Sequence, residues 1–240
     1  MKYSITFLIL GGLVSYLAIS LGGWWHLLHW FSLCCFAQSA GYTGLGPRVF
    51  GKRPDGRIPT WSKIIHLPYL VYSKCIWQIN RLLSRENPTD IVSDDLILGR
   101  RLRADELPAH VANYVDLTSE FEDPVQIRKT TNYVNLPILD AGVPSRDALH
   151  SAIAQLKPGT TFVHCAQGHG RTGLFALALL AYRHRIRSFD EGMHLLKSAR
   201  TGVGLNKTQE KFIRNYIAEQ THGETNSESA PVADSEASHT

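Results

Sequence analysis

"HCAQGHGRTG", residues 164–173, sets Cys165 and Arg171 with five residues between them, in a stretch that also carries three glycines. The run before it, "TTFVHC", reads as a strand that ends at the cysteine, and the run after it, "TGLFALALLAYRHR", is apolar on every side, as a buried helix is. A cysteine at the carboxyl end of a strand, with a helix starting just beyond, occupies the place where α/β sheets bind ligands. That junction decides the fold.

Outward from it, "DDLILGRRL", "HVANYVDLTSE" and "TTNYVNLPILD" read as further strands, the last two ending near Asp116 and Asp140. "PSRDALHSAIAQLKPG" reads as a helix opened by Pro144 and Ser145 and closed before Pro158, while "DEGMHLLKSAR" and "NKTQEKFIRNYIAEQ" have amphipathic helical spacing. Strands alternating with helices predict an α/β architecture with a central, mostly parallel sheet flanked by helices.

A glycine-rich loop between strand and helix turns its N–H groups inward, and the helix start adds free N–H groups and the positive end of its dipole. Gly168 and Gly170 permit the backbone this requires. The expected ligand is a tetrahedral dianion. The same amides favour a thiolate, and cysteines so placed have pKa values lowered from about 8.5 to roughly 3.5–7.5. Arg171 supplies a planar fork for two phosphate oxygens, which lysine does not match. Cysteine and arginine together specify attack of sulfur on phosphorus through a phosphocysteine.

The leaving oxygen then needs an acid. Asp140 fits, because it ends a strand 25 residues before Cys165 and opens "DAGVPS", a loop that reads as mobile and able to swing over the pocket. Asp116, 49 residues upstream of Cys165, is the alternative acid, weighed against the favoured reading of a turn or cap residue. His164 reads as an anchor of the loop, and His169 as facing the pocket or its rim. Asp94 and Asp95 read as structural, with Asn206 and Gln209 near the pocket. A phosphate-binding nucleotide loop is excluded, since no lysine stands where that motif needs one.

The C-x5-R spacing of Cys165 and Arg171, followed by Thr172 and preceded by "VHC", resembles the signature loop of the cysteine-dependent protein tyrosine phosphatases. "NLPILDAGVPS" and "VHCAQGHGRTG" together are similar to the dual-specificity branch, over about residues 90–218. The resemblance implies the phosphatase fold, with Cys165 as nucleophile and Asp140 as acid and then base. It implies that Ala166, Gln167, Gly168, His169, Gly170 and Arg171 bind the substrate phosphate, that the Thr172 hydroxyl stabilises the departing thiolate, and that no metal or other cofactor is used. The segment from Asp140 to Cys165 is a few residues shorter than is usual in that branch. Intact Cys165, Arg171 and Asp140 argue against a module that only binds phosphorylated partners. The neutral loop, with Ala166 and His169 where phosphoinositide enzymes often carry lysines, leans the substrate toward phosphotyrosine and phosphoserine or phosphothreonine in proteins. A phospholipid headgroup, phosphoinositide or phosphatidylglycerophosphate, is the alternative.

The amino-terminal region carries no charged side chain between Lys2 and Arg48. That exceeds the roughly 20 apolar residues one membrane crossing needs. A transmembrane hairpin over residues 1–47, with spans at about 3–21 and 24–44, is expected in preference to a cleaved signal peptide. Residues 48–87 follow as a basic membrane-proximal segment, with eight Lys and Arg against Asp55 and Glu86 in 48–86, which marks the cytoplasmic side. Within it, residues 64–83 read as an amphipathic helix, either lying in the membrane surface or packed on the domain. Residues 88–220 are the expected catalytic domain, and residues 221–240, with four acidic and no basic side chains, an expected disordered tail. The formal net charge of +4 is therefore +8 outside the tail, +6 of it from 48–86, which points to anionic lipid and not to nucleic acid. Cys34 and Cys35 are adjacent and Cys75 and Cys165 isolated, a pattern without a disulfide framework that suits a reducing compartment. The chain is thus expected to be an integral membrane protein with its catalytic domain in the cytoplasm, the inner or plasma membrane if bacterial.

Overall fold

In the computed structural model, which describes residues 2–228, five strands make one sheet. The chain opens with α1 (Lys2–Leu21) and α2 (Leu28–Ala40), then α3 (Thr60–Ile65) and α4 (Leu67–Leu83). The sheet region follows as β1 (Thr89–Ser93), β2 (Leu96–Arg100), β3 (Val111–Thr118), α5 (Val125–Thr130), β4 (Asn132–Ile138), α6 (Arg146–Ala154) and β5 (Thr160–Cys165). Three helices close the fold: α7 (Gly170–Tyr182), α8 (Phe189–Ala199) and α9 (Lys207–Glu228). The strand order is β1-β2-β5-β3-β4, with β1 antiparallel to β2 and every other pair parallel. The mostly parallel α/β sheet expected from the alternating pattern is the one found.

Alternation along the strands sends residues to two faces. Leu96, Leu98, Val115, Leu117, Val134, Leu136 and Val163 join one buried cluster with α7, which is buried from Arg171 to Ala181. Ile97, Tyr114 and Phe162 join a second cluster with Leu102 and Ile127. Cys165 therefore falls on the α7 side, while its neighbour His164 turns to the other. Two elements escape the sequence pattern. The edge strand β1 carries only two apolar residues, and Asp94-Asp95, first read as part of a strand, make the turn into β2. Asp95 is structural: its carboxylate lies 2.6 Å from Arg183 and 2.6 Å from Arg185, just past the end of α7.

Helices α1 and α2 pack as a hairpin through small and polar side chains. Ser4 Oγ lies 3.1 Å from Ser39 Oγ, and a Cβ at Gly11 would come within 2.8 Å of Phe36. Among the described residues, α1 alone is long and apolar enough to cross a membrane. Helix α2 has 13 residues, about 20 Å of rise. The stretch read as one amphipathic helix is broken at His66 into α3 and α4. Helix α4 buries Trp77 against Phe121 and beneath Arg101, and leaves Val71, Ile79, Leu82 and Leu83 exposed. It thus packs on the domain with one face and keeps an apolar face outward. Helix α9 continues to Glu228, eight residues into the stretch read as a disordered tail, and the rest of that stretch, 229–240, lies outside the described residues.

Candidate active site

Cys165 ends β5 and α7 begins at Gly170, so the loop between them is the strand-to-helix junction that the spacing implies. Its carbonyls are drawn outward. Arg200, buried at the end of α8, donates from Nε to the Gly168 carbonyl at 3.1 Å and from Nη2 to the Gln167 carbonyl at 3.0 Å. The Arg101 amide holds the Ala166 carbonyl at 3.3 Å. With the carbonyls facing out, the N–H groups turn in, and Gly168 N–H donates to Cys165 Sγ at 3.3 Å. Gly168 has φ of 78°, and a Cβ there would meet the Gly99 carbonyl at 2.4 Å, so the loop admits no side chain at that point.

Arg171 reaches under the loop. Its Nη1 and Nη2 donate to Glu120 Oε2 and Oε1 at 3.0 and 2.8 Å, and Nη1 also donates to the Ile138 carbonyl at 2.9 Å. The buried Nε is left without a partner, a donor free for an anion. Burial works against a charged Glu120, but the Arg171 charge and its hydrogen bonds override this and hold the carboxyl below its usual range. Burial likewise opposes a Cys165 thiolate, yet the Arg171 charge, the Thr172 hydroxyl and the amides of Thr172 and His169 hold the thiol below its ordinary value. Sulfur at the bottom of the loop is therefore poised as a nucleophile.

Asp140 stands at the rim with its carboxylate largely exposed and Oδ1 3.4 Å from Arg171 Nη2. Its loop, expected to swing, is tied on several sides. Tyr42 donates to the Asp140 carbonyl at 3.1 Å, Asn206 Nδ2 to the Ala141 carbonyl at 2.9 Å and Gln209 Nε2 to the Gly142 carbonyl at 3.1 Å. Asn206 and Gln209 thus reach the site by holding the loop that carries Asp140.

The remaining sequence candidates divide. His164 anchors the loop, its Nδ1 3.1 Å from the Cys165 carbonyl. His169 sits at the rim with Nε2 2.7 Å from Glu86 Oε2. Asp116 is fully buried on the sheet face opposite Cys165, where Oδ1 accepts from the Thr118 amide and hydroxyl at 2.8 and 2.6 Å, the local bonding of a turn-type aspartate, and Oδ2 lies 2.5 Å from Lys52 Nζ. Asp116, Asp123 and His164 bring three side chains of metal-ligand type together, but Lys52 and the Tyr133 hydroxyl already engage Asp116. Glu120 and Arg200 were missed. Each meets its partner across 32 or more positions, and no local spacing announces such a pair.

The loop floors a cleft of about 470 Å³. One wall is α4, through Tyr69, Tyr72, Ile76 and Trp77, and Phe121, Asp140 and Asn206 complete the mouth. Phe7 of α1 packs edge-on against Tyr69, and Tyr3 against Tyr42, so the amino-terminal helices reach the rim.

The family described as PTP-SAK, Swiss Army Knife protein, DSP-PTPase phosphatase domain, matches residues 100–213. A putative tyrosine phosphatase 067L of Invertebrate iridescent virus 3 is 31% identical over 132 residues, which cover 45% of this chain and 55% of that relative. The match thus spans about half the relative's length. Two solved structures of PTPMT1, one in complex with PI(5)P, superpose with TM-scores of 0.52 and 0.50 at 17% and 18% identity, covering 57% of this chain and 99% of theirs. They share the fold. Residues 100–213, which hold the Cys165 loop, are thus similar to the dual-specificity branch of the cysteine-dependent protein tyrosine phosphatase superfamily.

Proposed function

We propose that the protein hydrolyses phosphate monoesters through a phosphocysteine. Cys165 Sγ attacks phosphorus while the amides of residues 166–171 and Arg171 hold the equatorial oxygens, and Asp140 protonates the leaving oxygen. Water then attacks the phosphocysteine with Asp140 accepting its proton, sulfur leaves as thiolate beside Thr172, and inorganic phosphate is released. The observation that carries this reading is the loop itself, with carbonyls drawn out, amides turned in, and sulfur held below its ordinary pKa.

For the substrate, we propose a lipid-borne phosphate beside the phosphorylated proteins toward which the neutral loop leans. The wall formed by α4 supports this, because the helix lines the cleft with Tyr69, Tyr72, Ile76 and Trp77 and carries Val71, Leu82 and Leu83 exposed. A lipid lying in the same leaflet as an anchoring α1 would present its headgroup phosphate to the loop while its acyl chains stay along these apolar faces. The viral relative, named a tyrosine phosphatase, favours the protein reading, so both are tested together. The full chain in phospholipid nanodiscs is given an aryl phosphate, a phosphotyrosine and phosphothreonine peptide pair, and lipids bearing a phosphate monoester, each with a Cys165→Ser control. Lipid turnover at least about tenfold above peptide in kcat/KM supports the proposal. Peptide above lipid restores the protein substrate, and binding without turnover of any of the three identifies a phosphate-binding module.

A further inference from the structure

The sheet face opposite the catalytic cysteine gathers five charged groups. Asp116 on β3 and His164 on β5 are register partners, Asp123 follows β3 and Arg101 follows β2. The fifth is Lys52, which arrives from the segment before α3 and lies outside residues 100–213. Lys52 Nζ is 2.5 Å from Asp116 Oδ2 and donates to the Thr118 carbonyl at 2.6 Å, with both charged side chains fully buried. The Tyr133 hydroxyl donates to Asp116 at 2.5 Å, and Arg101 Nε lies 3.2 Å from Asp123 Oδ1.

His164 sits between the carboxylates and the catalytic loop. Its Nε2 is 3.0 Å from Asp123 Oδ2 and 3.7 Å from Asp116 Oδ1, while Nδ1 is 3.1 Å from the Cys165 carbonyl. Both ring nitrogens meet acceptors, so both carry protons and the ring is a cation. Burial opposes this, and the two aspartates together with the Cys165 carbonyl override it, raising the imidazole above its usual range. The other titratable groups against the cluster are the hydroxyls of Tyr114 and Tyr133, which burial and the aspartates keep protonated. Three cations and two carboxylates leave one positive charge beside the nucleophile.

We propose that Lys52 is a positioning residue for the catalytic loop: by holding Asp116 it leaves His164 to bridge Asp123 and the Cys165 carbonyl, and it supplies the excess positive charge that favours the Cys165 thiolate. The proposal rests on reading Cys165 as the nucleophile. With an apolar side chain at 52, the cluster is electrically neutral and Asp116 loses its cation, leaving the Thr118 amide and hydroxyl and the Tyr133 hydroxyl as neutral donors and His164 as the nearest cation. His164 is then drawn toward Asp116 and away from its present geometry. Formation of the reactive thiolate thereby depends on a residue of the membrane-proximal segment.

The test compares wild type, Lys52→Met, Lys52→Arg and the double variant Lys52→Met/Asp116→Asn, each as the full chain in nanodiscs. Two readouts are taken: hydrolysis of an aryl phosphate against pH, and the pH midpoint of Cys165 alkylation by iodoacetamide, followed on its own peptide by mass spectrometry. For Lys52→Met, the alkylation midpoint is expected to rise by about half a unit or more, with kcat down about tenfold and KM changed less. Lys52→Arg keeps the cation, and the double variant removes the uncompensated carboxylate, so both are expected to recover most of kcat. An unchanged midpoint and pH profile in a folded Lys52→Met, or no recovery in a folded double variant, overturns the role. If wild-type Cys165 alkylates as an ordinary thiol and turns over nothing, the nucleophile reading fails instead.

Discussion

Glu120 grips Arg171 through two parallel hydrogen bonds of 2.8 and 3.0 Å, both partners buried, across 51 residues of sequence. The fork that meets phosphate is thus aimed before any substrate arrives, and its remaining donor, Nε, is the one left unpaired. Removing one partner of such a buried pair costs about 3–5 kcal/mol. Glu120→Ala is expected to lose stability on that scale in urea unfolding, and Glu120→Gln to lose less while raising KM for an aryl phosphate about tenfold. Equal stability and KM in Glu120→Ala and wild type would show that Arg171 is aimed by something else.

Acid stability follows from the same pair. Because Arg171 and its bonds hold Glu120 below the ordinary carboxyl value of 4.5, the stabilisation is present above that pH and is lost as pH falls through the folded-state value. Stability measured between neutral pH and pH 3 should fall less steeply in Glu120→Gln than in wild type. Parallel curves would remove Glu120 from the account.

Asp140 is expected to matter in proportion to the leaving group. Asp140→Asn should cost about 10²-fold or more in kcat on an alkyl phosphate and far less on an aryl phosphate whose leaving group needs no proton. Equal losses on both would assign Asp140 to binding and not to proton transfer.

Arg200 holds two loop carbonyls outward and also pairs with Asp90 and Glu86, at 2.5 and 2.9 Å. With the Asn87 carbonyl at 3.0 Å the guanidinium meets five acceptors, which the Arg200→Lys variant cannot span in one plane. Its phosphate affinity should drop about tenfold, read by competition against an aryl phosphate, with the Cys165 alkylation midpoint moving up as the amides relax.

Asn206 caps the start of α9, its Oδ1 accepting from the amides of Thr208 and Gln209 at 2.9 and 3.0 Å, while its Nδ2 ties the Ala141 carbonyl. Asn206→Ala should lose about 1 kcal/mol of stability. Its kcat should also fall, whereas Asn206→Asp, which keeps the cap and drops the tie, should lose kcat alone.

Residues 160–183 were legible because a strand, a turn and a buried helix leave periodic marks, and Cys165 and Arg171 lie close enough in sequence to be read as a pair. Asp140 was legible by its place at a strand end. Glu120, Arg200 and Lys52 were not, since each makes its decisive contact with a residue 32 to 64 positions away and resembles an ordinary surface charge. Asp116 was legible only in its local bond to Thr118, for a related reason. Its cation is Lys52, from the basic segment that the sequence assigned to lipid and not to the interior of the sheet region. Strand β1 was overlooked because an edge strand needs little apolar surface.

The ties on residues 140–142 bear on timing. Tyr42 precedes the sheet region and Asn206 and Gln209 open the last helix, so ties from both sides of the catalytic domain share in holding the aspartate in place. With the proposed acid already held at the rim, the cycle is expected to need no slow hinge step. Its turnover should therefore follow the chemistry of the ester and the escape of phosphate, and glycerol or sucrose should slow it only as far as product departure limits the rate.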